Sequence, residues 1–418
     1  QKIVKTSYIL YRAINKAALN RNKEEKKSIW AYKYLGVWWD SGKLKIDLNG
    51  ADLWIEKYEE KKKLEIISDD KIKDKEAAIR NAIDTTEDFK YLVWALNFKK
   101  HRYSFSGEGH RFYNPICNIK SELRSYLTYD GKPLVNIDLK NSQPFLSTAL
   151  FKKTFWVKDD VDQNQIKLNK INTEIKNEII KNKEYNNIIM WLESLESLDY
   201  KGMSVKNYIE KVIDGSFYEY IQPYFEEIFP GRFSNRKLVK SEVLRIFYVQ
   251  GWKINREFYE PCKVFAKLFP GVYGLFTHIK QIRDNLLPIL LQRMESYLML
   301  DVVCKKISEE HPKIPLFTIH DSIITTKGNE AIVKDIMGSE IEKLIGYKPR
   351  LDFEYLTPPE LWESITGYEG YYEISNFGNV RGLEREVSIP SGSRKIKGRT
   401  IKKRINNCGY WEVRLSKN

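Results

Sequence analysis

The chain has 418 residues, of which 42% are hydrophobic and 30% charged, and its formal net charge is +14. This length accommodates about two or three domains with their own cores, and the positive surplus favours a polyanionic partner such as nucleic acid. Four cysteines without C-x-x-C spacing (Cys117, Cys262, Cys304, Cys408) argue against a disulfide framework or zinc ribbon. No run reaches the ~18 apolar residues that span a bilayer, and the first residues lack a signal-peptide pattern. We therefore expect a cytoplasmic protein without a membrane partner.

Residues 1–100 are predicted to be largely helical, because Lys, Glu and aliphatic residues recur there at helical spacing. The runs are Tyr8–Asn20, Ala51–Ile67 and Asp74–Phe98. From 101 onward Gly, Asn and Pro punctuate the chain, and the apolar run Leu134–Asp138 predicts a strand. Residues 158–201 are dominated by Lys, Asn, Ile and Glu, which predicts a solvated helical insertion of low complexity, compatible with disorder.

The second half of the chain is predicted to be helical through Glu210–Leu300. Ile314–Thr326 then predicts a strand, a turn at His320–Asp321 and a second strand. A helix (Glu330–Leu344), a strand (Arg350–Tyr355) and a domain boundary at Pro358–Pro359 follow. Beyond the boundary the texture is β-like and aromatic and becomes basic in Ser391–Arg404, and no repeat of solenoid period occurs. The sequence thus divides into 1–100, 101–357 and 358–418.

Two aspartates stand at predicted strands. Asp138 ends the strand LVNID, and Asp321 lies at the tip of TIHDSI. Nucleotidyl transfer uses two divalent ions, one activating a 3′-hydroxyl and one neutralising pyrophosphate, and carboxylates on strands hold such ions rigidly. Most isolated aspartates are instead helix caps or surface charges, so the pair needs support from elsewhere in the chain.

A predicted helix supplies that support. In NRKLVKSEVLRIFY, four residues recur every fourth position and share one helix face, namely Arg236, Lys240, Leu244 and Tyr248. Two cations can bind a triphosphate and the aromatic ring can stack by a base pair. The alternative is an amphipathic helix with solvated charges.

The ordered set of motifs resembles family A polymerases, the group of bacterial DNA polymerase I and the single-subunit phage RNA polymerases. IDLKNSQPFL resembles their first palm motif, the four-residue spacing resembles their fingers helix, and His320–Asp321–Ser322 resembles their last palm motif. The resemblance covers about residues 101–355. It implies an α+β right-hand palm and fingers, with Asp138 and Asp321 binding two Mg²⁺ ions, for which Mn²⁺ is able to substitute. Residues 1–100 would then form a reduced, thumb-like helical region.

Smaller matches occur in the same order. Gly109–His110–Arg111 resembles a Gly-Arg element, Arg124 matches a second Arg, and Phe269–Phe276 resembles the segment after the fingers helix. Gln292 matches a Gln that contacts the primer–template minor groove. His320 would position the hairpin or the primer end, or would simply be a hydrogen-bonded turn histidine.

Three positions depart from the DNA-making members of the family. Gln143 replaces a Glu that helps to exclude ribonucleotides, Leu244 replaces an aromatic residue, and Ser322 follows the second Asp as it does in the phage RNA polymerases. Tyr248 beside Gln143 can still form a steric gate against a 2′-hydroxyl. The resemblance therefore favours dNTPs as substrates.

The tail resembles the small DNA-binding (NUMOD-type) module found beside HNH homing nucleases. The pattern Trp, Gly-Tyr-Glu-Gly-x-Tyr and Ser-Asn-x-Gly-x-Val-Arg is met from Trp362 to Arg381. The excess of cations after it would contact phosphates, and the alternative is a β domain without a ligand. The HNH nuclease itself is missing, so we expect no nuclease activity. The expected phosphate-binding residues are Arg381, Arg394, Lys395, Lys397, Arg399, Lys402, Lys403 and Arg404.

The sequence therefore predicts a template-directed DNA polymerase that extends a DNA primer–template with dNTPs. Homing-type modules travel with phages and mobile elements, so we expect a gene of that origin and a product in the host cytoplasm. One alternative is a phage-type RNA polymerase or primase. Another is a catalytically silent DNA-binding protein, which Asp138, Asp321 and Lys240 disfavour. The sequence gives no indication of the oligomeric state.

Overall fold

The computed structural model describes residues 32–98, 103–157, 165–196, 199–249, 260–389, 392–406 and 410–416. The helix predicted at Tyr8–Asn20 lies outside these residues, as do Cys408 and Ser391. No helix within the described ranges combines the length and apolarity that a membrane crossing requires.

The helices and strands follow the predicted order closely. The helices are α1 Lys33–Asp40, α2 Leu48–Ser68, α3 Lys75–Asn97, α4 Pro115–Asn118, α5 Ser121–Arg124, α6 Ser142–Ser147, α7 Lys153–Trp156, α8 Leu168–Ile171, α9 Thr173–Lys181, α10 Glu184–Ser194, α11 Tyr200–Ile213, α12 Phe217–Ile228, α13 Arg236–Tyr248, α14 Glu260–Leu268, α15 Pro270–Ile282, α16 Leu286–Ser296, α17 Lys305–Glu310 and α18 Glu330–Ile345. A 3-10 turn (Thr148–Phe151) and a π-helix (Tyr297–Cys304) complete the helical elements of the described residues.

The strands are short apart from one central strand. They are β1 Leu44–Ile46, β2 Ser104–Phe105, β3 Phe112–Tyr113, β4 Leu127–Tyr129, β5 Lys132–Leu139, β6 Phe317–Ile319, β7 Ser322–Thr326, β8 Leu351–Leu356, β9 Trp362–Ser364, β10 Tyr372–Ser375, β11 Val380–Gly382, β12 Arg385–Ile389, β13 Gly392–Ile396, β14 Arg399–Thr400, β15 Arg404–Ile405 and β16 Trp411–Glu412.

Contacts divide the chain into two units, and the first carries the central strand. This unit comprises the described residues up to Lys45, together with Ala95–Asn118 and Thr128–Leu356. Antiparallel β7 and β8 flank β5, and β6 continues the sheet beyond β7. Leu134, Val135 and Ile137 of β5 are fully buried, so both faces of this strand are covered, whereas the alternating apolar pattern predicted only the strand itself. Helix α18 packs against β5 and β7.

The polar segment 158–201 is less solvated than predicted. Residues 158–164 and 197–198 lie outside the described part, whereas α9 and α10 are regular helices. Ile175 and Ile179 recur at the i, i+4 spacing of one helix face, and both are buried. Ile188 and Leu192 repeat that spacing on α10. A sparse but periodic set of Ile and Leu therefore suffices to pack these helices, despite the Lys- and Asn-rich composition.

The second unit comprises Ile46–Trp94, Ile119–Leu127 and Thr357–Asn418. Its tail forms a four-stranded sheet, in the order β14-β11-β10-β9, and two separate ribbons, β12–β13 and β15–β16. The Asn376–Gly378 turn has Gly378 at φ 69°, a conformation that favours glycine. Lys57 Nζ of α2 donates to Trp362 O at 2.9 Å and lies 3.6 Å from Glu363 Oε1. Helix α2 and the tail are thus joined within one unit.

Candidate active site

The sheet of the first unit places the two predicted aspartates side by side. Asp138 of β5 is directly opposite Ser322 of β7, and the Leu139 amide donates to Asp321 O at 3.2 Å. Asp321 lies in the two-residue turn between β6 and β7, where His320 has the left-handed φ of 50°.

Asp138 experiences an unusual electrostatic environment for a carboxyl group. Burial, followed by the charge of Asp321, raises the pKa of Asp138 to about 6, while Lys140 and Lys240 oppose the shift. Lys140 Nζ is 3.8 Å from Asp138 Oδ2 and 3.2 Å from Asp352 Oδ2. Asp352 of β8 lies directly opposite Asp138, on the other side from β7. The sequence analysis did not predict either residue. Lys140 follows Asp138 by two residues, a spacing that places both on the same side of an extended chain, whereas only strand pairing brings Asp352 to this position.

The donor set suits a divalent cation. The carboxyl groups of Asp138 on β5 and Asp321 in the β6–β7 turn repel each other and gain from a cation between them, and oxygen donors are those that Mg²⁺ prefers. Within the described ranges, no group of three or more His, Cys, Asp or Glu side chains is arranged to hold a metal ion. The residues that fit the expected ions are therefore the pair Asp138 and Asp321.

Helix α13 presents the predicted basic and aromatic side chains. Asn235 caps its N-terminus by accepting from the Leu238 amide at 3.2 Å. Val239, Val243 and Phe247 are buried, which leaves a different face of the helix, with Lys240, Leu244 and Tyr248, along a cleft. This division of faces is the one that the four-residue spacing predicts.

Arg236 begins the same helix but is already engaged. Its Nε donates to Glu219 Oε1 at 2.7 Å and its Nη2 to Asn141 Oδ1 at 3.0 Å. The guanidinium also lies 4.9 Å from the centre of the Tyr218 ring. Arg236 does not itself line the cleft.

The cleft has a volume of about 430 Å³ and lies between α13, the β6–β7 turn and α16. Of the predicted residues, it is lined by Asp321, His320, Lys240, Leu244, Tyr248, Gln143 and Arg111. Further lining residues, which sequence reasoning missed, are Ser142, Pro144, Tyr218, Ser241, Arg245 and Glu295.

Glu295 is the most informative of the missed residues. It is 1% exposed, and Arg111 donates to both of its oxygens, from Nε to Oε1 at 2.9 Å and from Nη2 to Oε2 at 3.0 Å. Gln143 Nε2 donates to Oε2 at 2.8 Å. Burial raises the pKa of Glu295 to about 7, and Arg111 opposes that shift. A signal was present in the sequence, because one acid within the apolar run of α16 indicates a buried, paired charge.

Gln292 and Gly109 meet at one edge of this site. Gln292 Nε2 donates to the Tyr248 hydroxyl at 3.3 Å. A Cβ on Gly109 would meet the side chain of Gln292, whose terminal amide would have to shift. Arg124, by contrast, ends α5 in the second unit and is not among the residues that line the cleft.

The predicted basic residues of the tail fall into two groups. Ion pairs engage Arg381 with Glu373 (2.6 Å), Lys395 with Glu384 (2.6 Å) and Arg404 with Glu412 (2.9 Å). Arg381 also lies 4.3 Å from the centre of the Trp362 ring. The second group is largely exposed and has no ion pair within the described residues. It consists of Arg394, Lys397, Arg399, Lys402 and Lys403.

Residues 360–416 match the NUMOD4 motif, which agrees with the resemblance found in the tail. No curated protein matches the chain. Among the solved structures that resemble it is the POL domain of Pol1 from M. smegmatis in complex with DNA primer-template and dNTP, with 10% identity and a TM-score of 0.30. The alignment covers 67% of this chain and 52% of that chain, so the chain spans about half the length of that structure. Similarity at this level defines neither the fold nor the activity of the chain.

Proposed function

We propose that the chain is a template-directed DNA polymerase that transfers nucleotides from dNTPs to the 3′-hydroxyl of a primer. The observation that carries this proposal is the position of Asp138 on β5 beside Asp321 in the β6–β7 turn, with Asp321 in the same cleft as Lys240 and Tyr248 of α13. Nucleotidyl transfer depends on positioning and charge stabilisation more than on covalent chemistry. A carboxylate pair opposite a cation and an aromatic ring provides both.

Residues in and beside the cleft would take different roles according to their charge. Asp138 and Asp321 would hold the divalent ions, which supply activation of the attacking hydroxyl and neutralisation of the leaving pyrophosphate when bound. Lys240 would bind the triphosphate through a charge-assisted contact, and Tyr248 would stack beside the nascent base pair. The exposed ion pair of Arg236 with Glu219 is weak. Arg236 would therefore leave Glu219 and bind a phosphate of the triphosphate together with Lys240.

Nucleic acid would be bound by residues outside the reacting centre. Arg111, Gln292 and His320 are proposed to contact the primer–template near the cleft, while Arg124 and the basic tail residues would bind duplex elsewhere. The match of residues 360–416 to NUMOD4 supports a DNA-binding role for the tail. The N-terminal helices are proposed to act as a reduced thumb.

Primer extension with dNTPs and with rNTPs, run side by side with Mg²⁺, tests the proposal. Wild-type protein should extend a primer according to its template. Asp138→Asn and Asp321→Asn should each lower kcat by more than about a hundredfold, the upper end of the loss seen for metal-supporting partners. Extension with rNTPs alone would favour the phage-type RNA polymerase or primase. Absence of templated extension by a folded protein that binds DNA would identify a catalytically silent descendant.

A further inference from the structure

A buried acid beneath the cleft restricts the hydrogen bonding of its neighbours. All three polar contacts of Glu295 are donors, two from Arg111 and one from Gln143. Above its pKa of about 7, Glu295 receives three donors on its two oxygens as a carboxylate and offers no proton of its own. The guanidinium of Arg111 has no acceptor, so the polarity of this contact is fixed.

This polarity fixes the orientation of the Gln143 amide. The amide must present its NH₂ group to Glu295, and its carbonyl Oε1 must therefore point elsewhere. Gln143 is 6% exposed, and its Oε1 has no hydrogen-bond partner among the described residues. Gln143 also lines the cleft. A buried carbonyl without a donor is unfavourable, and a ligand in the cleft can provide the donor.

A second polar atom of the cleft shares this condition. Tyr218 is 1% exposed and lines the cleft, and its hydroxyl has no hydrogen-bond partner in the described part of the chain. Two unsatisfied polar atoms in one cleft indicate a ligand that carries hydrogen-bonding groups. Its chemistry at Gln143 must be that of a donor.

Only one part of a nucleoside triphosphate suits Oε1 of Gln143. The phosphate oxygens accept hydrogen bonds, and the donors on the base edge are used in pairing with the template. The sugar hydroxyls remain as free donors. We propose that Glu295 is a positioning residue that fixes Gln143 as an acceptor for a sugar hydroxyl of the incoming nucleotide. This inference rests on the proposed nucleotidyl transfer and adds the means by which the site recognises the sugar.

Single-nucleotide insertion opposite a template thymine tests the inference, using ATP, 2′-dATP and 3′-dATP at about pH 8. Wild type should show a lower KM, by about two- to twelvefold, for the triphosphates that carry the hydroxyl bound by Gln143. The two deoxy analogues identify whether this is the 2′- or the 3′-hydroxyl. Gln143→Leu removes the acceptor but keeps the Arg111–Glu295 pair, so it should fold normally and lose the preference.

Glu295→Gln tests the positioning role directly, because a glutamine can donate or accept and no longer forces the orientation of Gln143. In this variant the ratio of KM values between triphosphates with and without the bound hydroxyl should approach one, while kcat changes less. Glu295→Asp should restore part of the difference in KM. Melting temperatures separate this effect from unfolding, which an unpaired Arg111 favours.

If wild type inserts nucleotides but the Gln143→Leu variant keeps the wild-type preference, the inference is overturned while the proposed function stands. If the Glu295→Gln variant is folded and keeps the wild-type preference, Glu295 has no positioning role. If wild type neither inserts nor binds any of the three triphosphates, both are wrong.

Discussion

Asp138 on β5 and Asp321 in the adjoining β6–β7 turn repel each other, since the charge of Asp321 adds to burial in raising the pKa of Asp138 to about 6. The carboxyl of Asp138 has an ordinary pKa of 3.8, so the folded protein binds its proton more tightly than the unfolded chain does. Ionisation of Asp138 therefore destabilises the folded protein. This destabilisation is absent at low pH and increases as the pH rises from about 4 through 6. The proposed cation site would carry such a cost in the cation-free protein.

Asp138→Asn should consequently raise the melting temperature of the cation-free protein while it lowers activity. The gain should grow between about pH 4 and pH 6 and stay constant above about pH 7, because the unfolded chain loses the Asp138 proton near pH 4 and the folded protein only near pH 6, whereas asparagine does not titrate. Thermal unfolding in the presence of a chelator measures it. Asp352→Asn, on the other neighbour of β5, is the matched control and should not reproduce the same pH dependence. A lower melting temperature for Asp138→Asn at pH 8 would contradict a repulsive carboxylate pair.

The pH dependence of extension should respond to the concentration of Mg²⁺. At low Mg²⁺ the rate should rise with pH around a midpoint near 6, because protonated Asp138 is a poor cation ligand. Mg²⁺ favours the ionised form, so each tenfold increase in its concentration should lower the midpoint by up to about one pH unit. Steady-state extension over a pH series at several Mg²⁺ concentrations gives the midpoints. A midpoint that is independent of Mg²⁺ would separate this titration from cation binding.

Lys240→Ala should reduce kcat/KM for the nucleotide by about ten- to a hundredfold or more, because a charge-assisted contact to phosphate is worth about 1.5–3 kcal/mol. DNA affinity should change little. The matched control is Lys237→Ala, an exposed lysine of the same helix that does not line the cleft. Single-turnover insertion and DNA binding by anisotropy distinguish the two effects. Equal losses in both lysine variants, or a loss of DNA affinity alone, would assign α13 to nucleic acid rather than to the nucleotide.

Local pattern in the sequence predicted the elements of this site better than their pairings. The alternating apolar pattern of Leu134–Asp138 predicts β5 because successive side chains of a strand point to opposite faces. The spacing of Lys240 and Tyr248 predicts one face of α13 because helical geometry alone determines it. Both are properties of a few consecutive turns or residues.

Long-range pairing explains what could not be predicted. Glu295 is separated from Arg111 by 184 residues and from Gln143 by 152. Asp352 reaches Asp138 only because β8 pairs with β5 in one particular register. Helical spacing also did not reveal that Arg236 is held by Glu219 and Asn141, since neither lies on its own helix. Such contacts form only in the tertiary fold, and no local pattern of the sequence reveals them.

The basic residues of the tail form two groups, those that have an acidic partner and those that have none in the described residues. Lys397 and Lys402 are exposed without an ion pair in the described residues, whereas Lys395 and Arg404 are paired with Glu384 and Glu412. A paired cation must give up its partner before it binds a phosphate, so the first group should supply more of the phosphate contacts. Substitutions are preferable to removing residues 358–418, since α2 contacts this tail through Lys57.

The double variant Lys397→Ala/Lys402→Ala should weaken duplex binding and make its salt dependence shallower. Each lost phosphate contact removes about 0.9 from the slope of log K against log salt, so two contacts remove about 1.8. The matched double variant Lys395→Ala/Arg404→Ala removes the same charge and should change the slope less. Anisotropy titrations of a duplex at several salt concentrations give both slopes.

Extension at saturating DNA should be retained in both variants, because every residue that lines the cleft precedes Thr357. Equal slopes for wild type and both variants would make the tail a passive β domain with a solvated basic surface.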